Sequence, residues 1–193
     1  MLEIKKGDPW IMWPNLLADN FIENPANHIF DHMGDFKFRL VFELIESIEE
    51  KSTLFAKLPS YLGFDLEKYG FLVIITESGK DPEYIPCNYE WEINKKYELI
   101  FKKIDNVLSV VIDDVTQIVK FVKSELASDK NSHIIFGAGN FPKNGFNLNY
   151  ARFNFHDLEI FRDGELISKH TFEEFIYNKS YDTTGNCNFI HKI

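Results

Sequence analysis

Residues 150–164 read YARFNFHDLEIFRDG, and the phase of their side chains decides the fold. Successive residues of an extended chain point to opposite faces, so Ala151, Phe153 and Phe155 share one face and Arg152, Asn154 and His156 the other. Beyond His156 the apolar residues move to even numbers, Leu158 and Ile160. A β-bulge produces such a slip, because one inserted residue re-aims every side chain after it. Asp163–Gly164 then supplies the dipeptide that a tight hairpin turn prefers. The stretch is predicted to be a long bulged strand, and with its neighbours it belongs to a sandwich or a barrel.

The same period recurs along the chain. FKFRLVFEL (36–44) places Phe36, Phe38, Leu40, Phe42 and Leu44 on one face, and Lys37, Arg39, Val41 and Glu43 on the other. FLVIIT (71–76) is a β-branched run suited to a central strand, and YELIFKK (97–103) turns Tyr97, Leu99 and Phe101 inward. NVLSVVIDD (106–114) and TQIVKFV (116–122) read as two strands joined by a tight Asp113–Asp114 corner, and HIIFGAG (133–139) follows. Turn residues separate these runs in ESGKDP, SDKNS, FPKNG and RDGE. Neither βαβ alternation nor an internal repeat is present. LIESIEEKS (44–52) reads as a helical turn or a charged loop tip, and SYLGFDLEKYG (60–70) as a loop. TFEEFIYNKS (171–180) offers a capping box, Thr171 with Glu174, which predicts a short helix near 171–177. The expected organisation is one all-β domain over residues 1–193. An N-terminal arm (1–26) and a C-terminal tail (178–193) are expected to pack on it.

Composition narrows the function classes. A chain of 193 residues, 45% hydrophobic and with 19 phenylalanines, can build one sizeable core. Thirty acidic against 21 basic residues leave a net charge of −9, which argues against nucleic-acid phosphates and anionic membranes as partners. Membrane insertion is not expected, because no window approaches a membrane-spanning length of apolar residues. The opening MLEIKKGDPWIMWPNLL has no signal-like apolar core, so a cytoplasmic location is expected, or an extracellular one if a leader is removed. Cys87 and Cys187 lack zinc-site spacing and are read either as one disulfide or as two free thiols.

The strand order resembles that of concanavalin A-like and laminin-G-like domains. NVLSVVIDD resembles their strand that ends in an Asp-Gly corner, with Asp114 where Gly is usual. HIIFGAGNF resembles the strand that follows, and FNFHDLEIFRDGELIS the closing strand. NHIFDHMGDFKFRLVFEL resembles the leading strand and the first long strand, so the likeness runs from about Asn27 to Ser168. It implies a jelly-roll sandwich of two antiparallel sheets, an architecture whose members often bind glycans. In the related bacterial β-glucanases an Asp on the closing strand binds structural calcium, and Asp157-Leu-Glu-Ile-Phe resembles that segment. The resemblance thus makes Asp157 a candidate Ca2+ ligand, with backbone carbonyls of the N-terminal loop completing a shell of about six to eight oxygens. Alternatively, Asp157 ends an exposed edge.

The chain offers residues for three chemistries. Arg152, Asn154 and His156 stand about 7 Å apart at each two-residue step, a spacing at which polar side chains meet sugar hydroxyls. Asn140, Asn144 and Tyr150 lie nearby in sequence, and Trp91 with Tyr89 offers rings to stack on a sugar. A solvated outer sheet face would show the same alternation. Glycoside hydrolysis needs two carboxylates about 5–9.5 Å apart. The Glu-x-Asp-x-x-Glu pattern of the glucanases is absent, although Glu90 and Glu92 share a face. A zinc site in NHIFDHMGD would need His28 and His32 on one helix face, whereas on a strand they stand about 13 Å apart. The reading is a non-catalytic carbohydrate-binding protein whose partner is a glycan or polysaccharide. A protein-interaction or self-association module on the same scaffold and a divergent glycoside hydrolase are the alternatives.

Overall fold

The predicted alternation builds strands throughout the computed structural model. It describes residues 2–4, 11–12, 34–49, 51–57, 62–127, 134–136, 153–171, 175–176, 179–180 and 189–191. In chain order these form β1 (Leu2–Ile4), β2 (Ile11–Met12), β3 (Phe36–Leu44), β4 (Ser52–Lys57), β5 (Leu62–Glu67) and β6 (Gly70–Ile75). Next come β7 (Glu83–Asn88), β8 (Lys96–Ile104), β9 (Val107–Ile112), β10 (Val115–Phe121) and β11 (Ile134–Phe136). β12 (Phe153–Arg162), β13 (Glu165–His170), β14 (Phe175–Ile176), β15 (Lys179–Ser180) and β16 (Phe189–His191) complete the chain. Two antiparallel sheets result. One has seven strands in the order β1-β12-β3-β8-β9-β10, with β13 paired to β12. The other has nine, in the order β14-β15-β16-β2-β11-β4-β5-β6-β7.

The phase slip in the closing strand is a bulge. Phe155 pairs with Phe42 and Asp157 with Val41, which leaves His156 as the extra residue. Phe153, Phe155, Leu158 and Ile160 therefore all reach the core. The Asp113–Asp114 and Asp163–Gly164 corners both take positive φ at their two residues, as a two-residue hairpin turn with the hand of the strand twist requires.

Between the sheets lies a phenylalanine core. Phe55 meets Phe101 at 5.3 Å and Phe38 at 5.6 Å, both edge to face, and stacks on Phe64 at 6.0 Å. Phe64 stacks in turn on Phe71 at 4.8 Å. Offset and edge-on contacts suit the ring quadrupole, so these pairs stabilise beyond the area they bury.

Two segments differ from expectation. Within 60–70 the described residues are not a loop: β5 occupies 62–67 and forms a hairpin with β6. Its Asp65 disguises it, being buried against the Thr53 hydroxyl (2.6 Å) and the Lys51 ammonium (2.6 Å). β7 contains Pro86, which a terminal strand tolerates because one side of it has no hydrogen-bond partner to lose. The helix near 171–177 does not form, since β14 pairs with β15 there. Phe175 and Ile176 are aromatic and β-branched, and ladder pairing satisfies backbone groups that a one-turn helix would leave open.

Lys120 of β10 and Glu83 of β7, each the last strand of its sheet order among the described residues, form an ion pair at 2.8 Å. Glu77 ties the turn after β6 to the segment leaving β10. Its Oε2 accepts from the Ser124 amide and hydroxyl, both at 2.8 Å, and meets Lys80 Nζ at 3.0 Å. Those bonds, the Ser124 hydroxyl first, lower its carboxyl from 4.5 to about 2. A carboxyl depressed on folding adds stability above its unfolded value and loses it as pH falls through the folded one. Urea midpoints of the parent and Glu77→Gln are therefore expected to differ most near neutral pH and to converge between pH 4.5 and 2. A difference that is constant with pH would contradict this role.

Candidate functional site

Among the described residues, the connections after β3, β5, β7 and β9 touch one another at the end of the sandwich where β3 finishes. The segment 89–95 between β7 and β8 is held at several points along its length. Tyr89 N–H donates to the Tyr69 carbonyl at 3.1 Å, and Asn94 N–H to the Leu44 carbonyl at 2.7 Å. The Tyr97 hydroxyl accepts from the Glu92 amide at 2.5 Å, and the Trp91 indole N–H donates to the Gly70 carbonyl at 2.7 Å. Gly70 itself admits no side chain, because a Cβ there would stand 2.0 Å from the Cys87 carbonyl oxygen. This close approach brings the β5–β6 turn against the 88–91 segment.

A groove of about 780 Å³ opens between them, lined by Lys68, Tyr69, Asn88, Tyr89, Glu90 and Trp91. Tyr89 and Trp91 lie 4.4 Å apart by ring centroid, and Trp91 is wedged edge-on to Tyr97 at 5.0 Å. Tyr69 is 76% exposed at the hairpin tip. Burial raises the Tyr89 phenol above its ordinary value, with Asp113 adding to the effect, so it stays a neutral donor and acceptor at physiological pH. Asn88 and Glu90 are exposed. A carboxamide offers donor and acceptor side by side, and a carboxylate offers two acceptors. One exposed ring, Tyr69, and two half-buried ones, Tyr89 and Trp91, beside such groups can hold a molecule with apolar C–H faces and hydroxyl edges.

The residues expected to bind ligand fall into three groups. Trp91 lines the groove with Tyr89. Asn154 and His156 lie instead on the other face of the seven-stranded sheet from Phe153 and Phe155, where both turn a nitrogen to one partner, while the buried Asn154 Oδ1 has none among the described residues. Asn154 Nδ2 donates to Glu43 Oε2 at 3.1 Å, and His156 Nε2 lies 3.3 Å from the same oxygen. The Glu43 carboxyl is lowered, chiefly by the Asn154 bond. Asn154 is only 6% exposed. Arg152, Asn140, Asn144 and Tyr150 lie outside the described residues, as do His28, Asp31 and His32. Asp157 is half-buried opposite Val41. The N-terminal loop that would complete a calcium shell around it is also outside the described residues. Among the described residues no three His, Cys, Asp or Glu side chains converge as a metal site. Cys87 is a free thiol, its ionisation disfavoured by burial.

Sequence reasoning missed Lys68, Tyr69 and Asn88. The available signal was an aromatic residue beside a glycine, Tyr69–Gly70, between two apolar alternations.

No protein-family model and no curated protein matches the chain. Solved structures do. A "putative carbohydrate binding protein" from Bacteroides ovatus superposes with a TM-score of 0.65 at 8% identity over 98% of this chain. Domains LG4-5 of the mouse laminin α1 chain superpose at 0.54, with 10% identity over 82%. Botulinum neurotoxin type C, whose cell entry depends on interaction with two ganglioside molecules, superposes at 0.50, with 13% identity over 78%. The chain spans 58%, 40% and 35% of those three chains. These likenesses show the fold, a jelly-roll sandwich, as the resemblance in strand order implied.

Proposed function

We propose that this chain is a non-catalytic glycan-binding domain whose ligand lies in the groove beside Tyr69, Tyr89 and Trp91. The observation that carries the reading is an aromatic groove whose walls are already held by backbone and indole hydrogen bonds. A preformed site loses little ordering entropy on binding. The partly positive C–H edges of a sugar ring favour the negative face of an aromatic ring. The carbohydrate and ganglioside associations of similar folds support the reading without carrying it, because one fold hosts many functions.

The direct test is glycan-array and titration binding of the parent beside Tyr69→Ala. Tyr69 projects into solvent, so its loss is expected to leave the melting temperature within about 2 °C while weakening glycan binding about tenfold, in line with a central aromatic contact. Undiminished binding by Tyr69→Ala would remove the groove from the site.

A second reading, self-association, draws on a different surface. On the outer face of the seven-stranded sheet, Ile104, Val107 and Phe121 form one exposed cross-strand row beside Val119. β10 is the last strand of that sheet, so a two-fold pairing with a second copy would join the two rows. Such a dimer would leave the groove open, which makes mass and glycan binding separable readouts.

A further inference from the structure

We infer that the groove selects uncharged glycans and discriminates against carboxylated or sulfated ones; this rests on the glycan-binding reading above. The basis is the distribution of charge at the rim. The one ammonium lining the groove among the described residues, Lys68, is already engaged: Glu49 Oε2 lies 3.2 Å away, and the Ser47 hydroxyl holds the other oxygen of that carboxylate at 2.9 Å. The geometry keeps a counter-charge beside Lys68 without any ligand. The pair is exposed on both sides, so its attraction is weak. What matters is therefore the sum of charge rather than the strength of that one contact.

That sum is negative. Glu90 lines the groove. Behind it Lys95 is shared between Glu92 at 3.1 Å and Asp113 at 3.7 Å. Counting the groove's own charges and the described charges that act on its lining, four carboxylates (Glu49, Glu90, Glu92, Asp113) thus stand against two ammoniums (Lys68, Lys95). The Tyr89 phenol responds to the same field, since after burial the next cause raising it is Asp113. No arginine lines the groove among the described residues, so the forked donor that best holds a carboxylate or sulfate is missing there. A neutral sugar needs none of this, because Asn88 and Glu90 supply hydroxyl partners. An anionic ligand enters against the field of the rim and of a chain carrying −9 overall.

The experiment uses matched pairs: cellohexaose, mannohexaose and galactohexaose, each beside its C6-carboxylated form. Binding is titrated by calorimetry at about 20 mM and about 500 mM salt, the range over which the screening length shortens severalfold. At least one neutral member is expected to bind. Its carboxylated partner should bind about tenfold more weakly at low salt, and the gap should narrow at high salt, as a field effect on exposed charges requires. Glu90→Gln should narrow the low-salt gap as well, by about threefold, because one of the opposing charges is gone. A carboxylated member binding as tightly as its neutral partner, or more tightly, would overturn the selectivity while leaving glycan binding intact. Failure of both members of every pair would overturn glycan binding itself, and the selectivity with it.

Discussion

Gly70→Ala is expected to lower stability by about 3 kcal/mol and to abolish the groove. The cause is steric rather than conformational. A methyl at residue 70 would lie 2.0 Å from the Cys87 carbonyl oxygen and 3.1 Å from the Asn88 Cα, all of it backbone that no side-chain rotation relieves. β6 and β7 would have to separate where Gly70 pairs with Asn88. That movement carries away the Gly70 carbonyl, which accepts the Trp91 indole N–H, and the neighbouring Tyr69 carbonyl, which accepts the Tyr89 amide. In a domain of this size a loss of about 3 kcal/mol lowers the melting temperature by roughly 6–12 °C. Gly79→Ala is the control. Gly79 has φ +73° but nothing within 4 Å of a Cβ, so only the left-handed backbone is penalised, by about 1 kcal/mol. Thermal melts of both variants check the prediction, and equal melting temperatures would remove the close approach as the reason for glycine at residue 70.

Phe55→Ala is expected to destabilise by about 3–5 kcal/mol, the largest effect of any single substitution proposed for this chain. Phe55 is 1% exposed and lies where both sheets meet, against Phe38 and Phe101 of the seven-stranded sheet and Phe64 of its own. Three rings lose a partner at once, and the surrounding strands are fixed by their ladders and collapse only partly into the void. Phe55→Leu keeps most of the volume and should cost well under half as much. Urea denaturation gives both values. Similar midpoints for the alanine and leucine variants would mean that the site relaxes freely and is not the packed centre of the core.

Legibility followed a physical rule. Strands with one buried face announced themselves. β3 alternates over all nine residues, and its boundaries in the structure are those read from FKFRLVFEL. The bulge in β12 was legible because the core demands apolar residues on one side, so an inserted residue leaves a visible change of parity. β4 and β5 were not legible. Every residue of β4 is buried, including Ser52, Thr53 and Lys57, and Asp65 of β5 is buried against Thr53 and Lys51. Polar residues that satisfy each other inside look, in one dimension, like a loop. The expected helix near 171–177 failed for the converse reason, since a capping pattern is local and the partner strand β15 is not visible to it.

The candidate site divides the same way. Tyr89 and Trp91 stood out as rings able to stack on a sugar, because residue chemistry is readable without coordinates. Their partners were not, because Lys68 and Tyr69 precede them by some twenty positions and join them only through the β6–β7 ladder and the glycine that lets it close. Conversely, the adjacency of Asn154 and His156 along β12 suggested an open polar face, and Glu43, 111 positions earlier than Asn154, takes up both side chains. By itself, then, the order of apolar and polar residues determined an all-β chain of half-buried strands and the bulge in β12, since both follow from side-chain parity along a strand, while the Asp113–Asp114 and Asp163–Gly164 pairs marked two hairpin corners. Which aromatic rings share a groove, which polar groups satisfy one another and which charges face a ligand were decided only in the tertiary structure. Strand pairing joins residues that no local pattern connects.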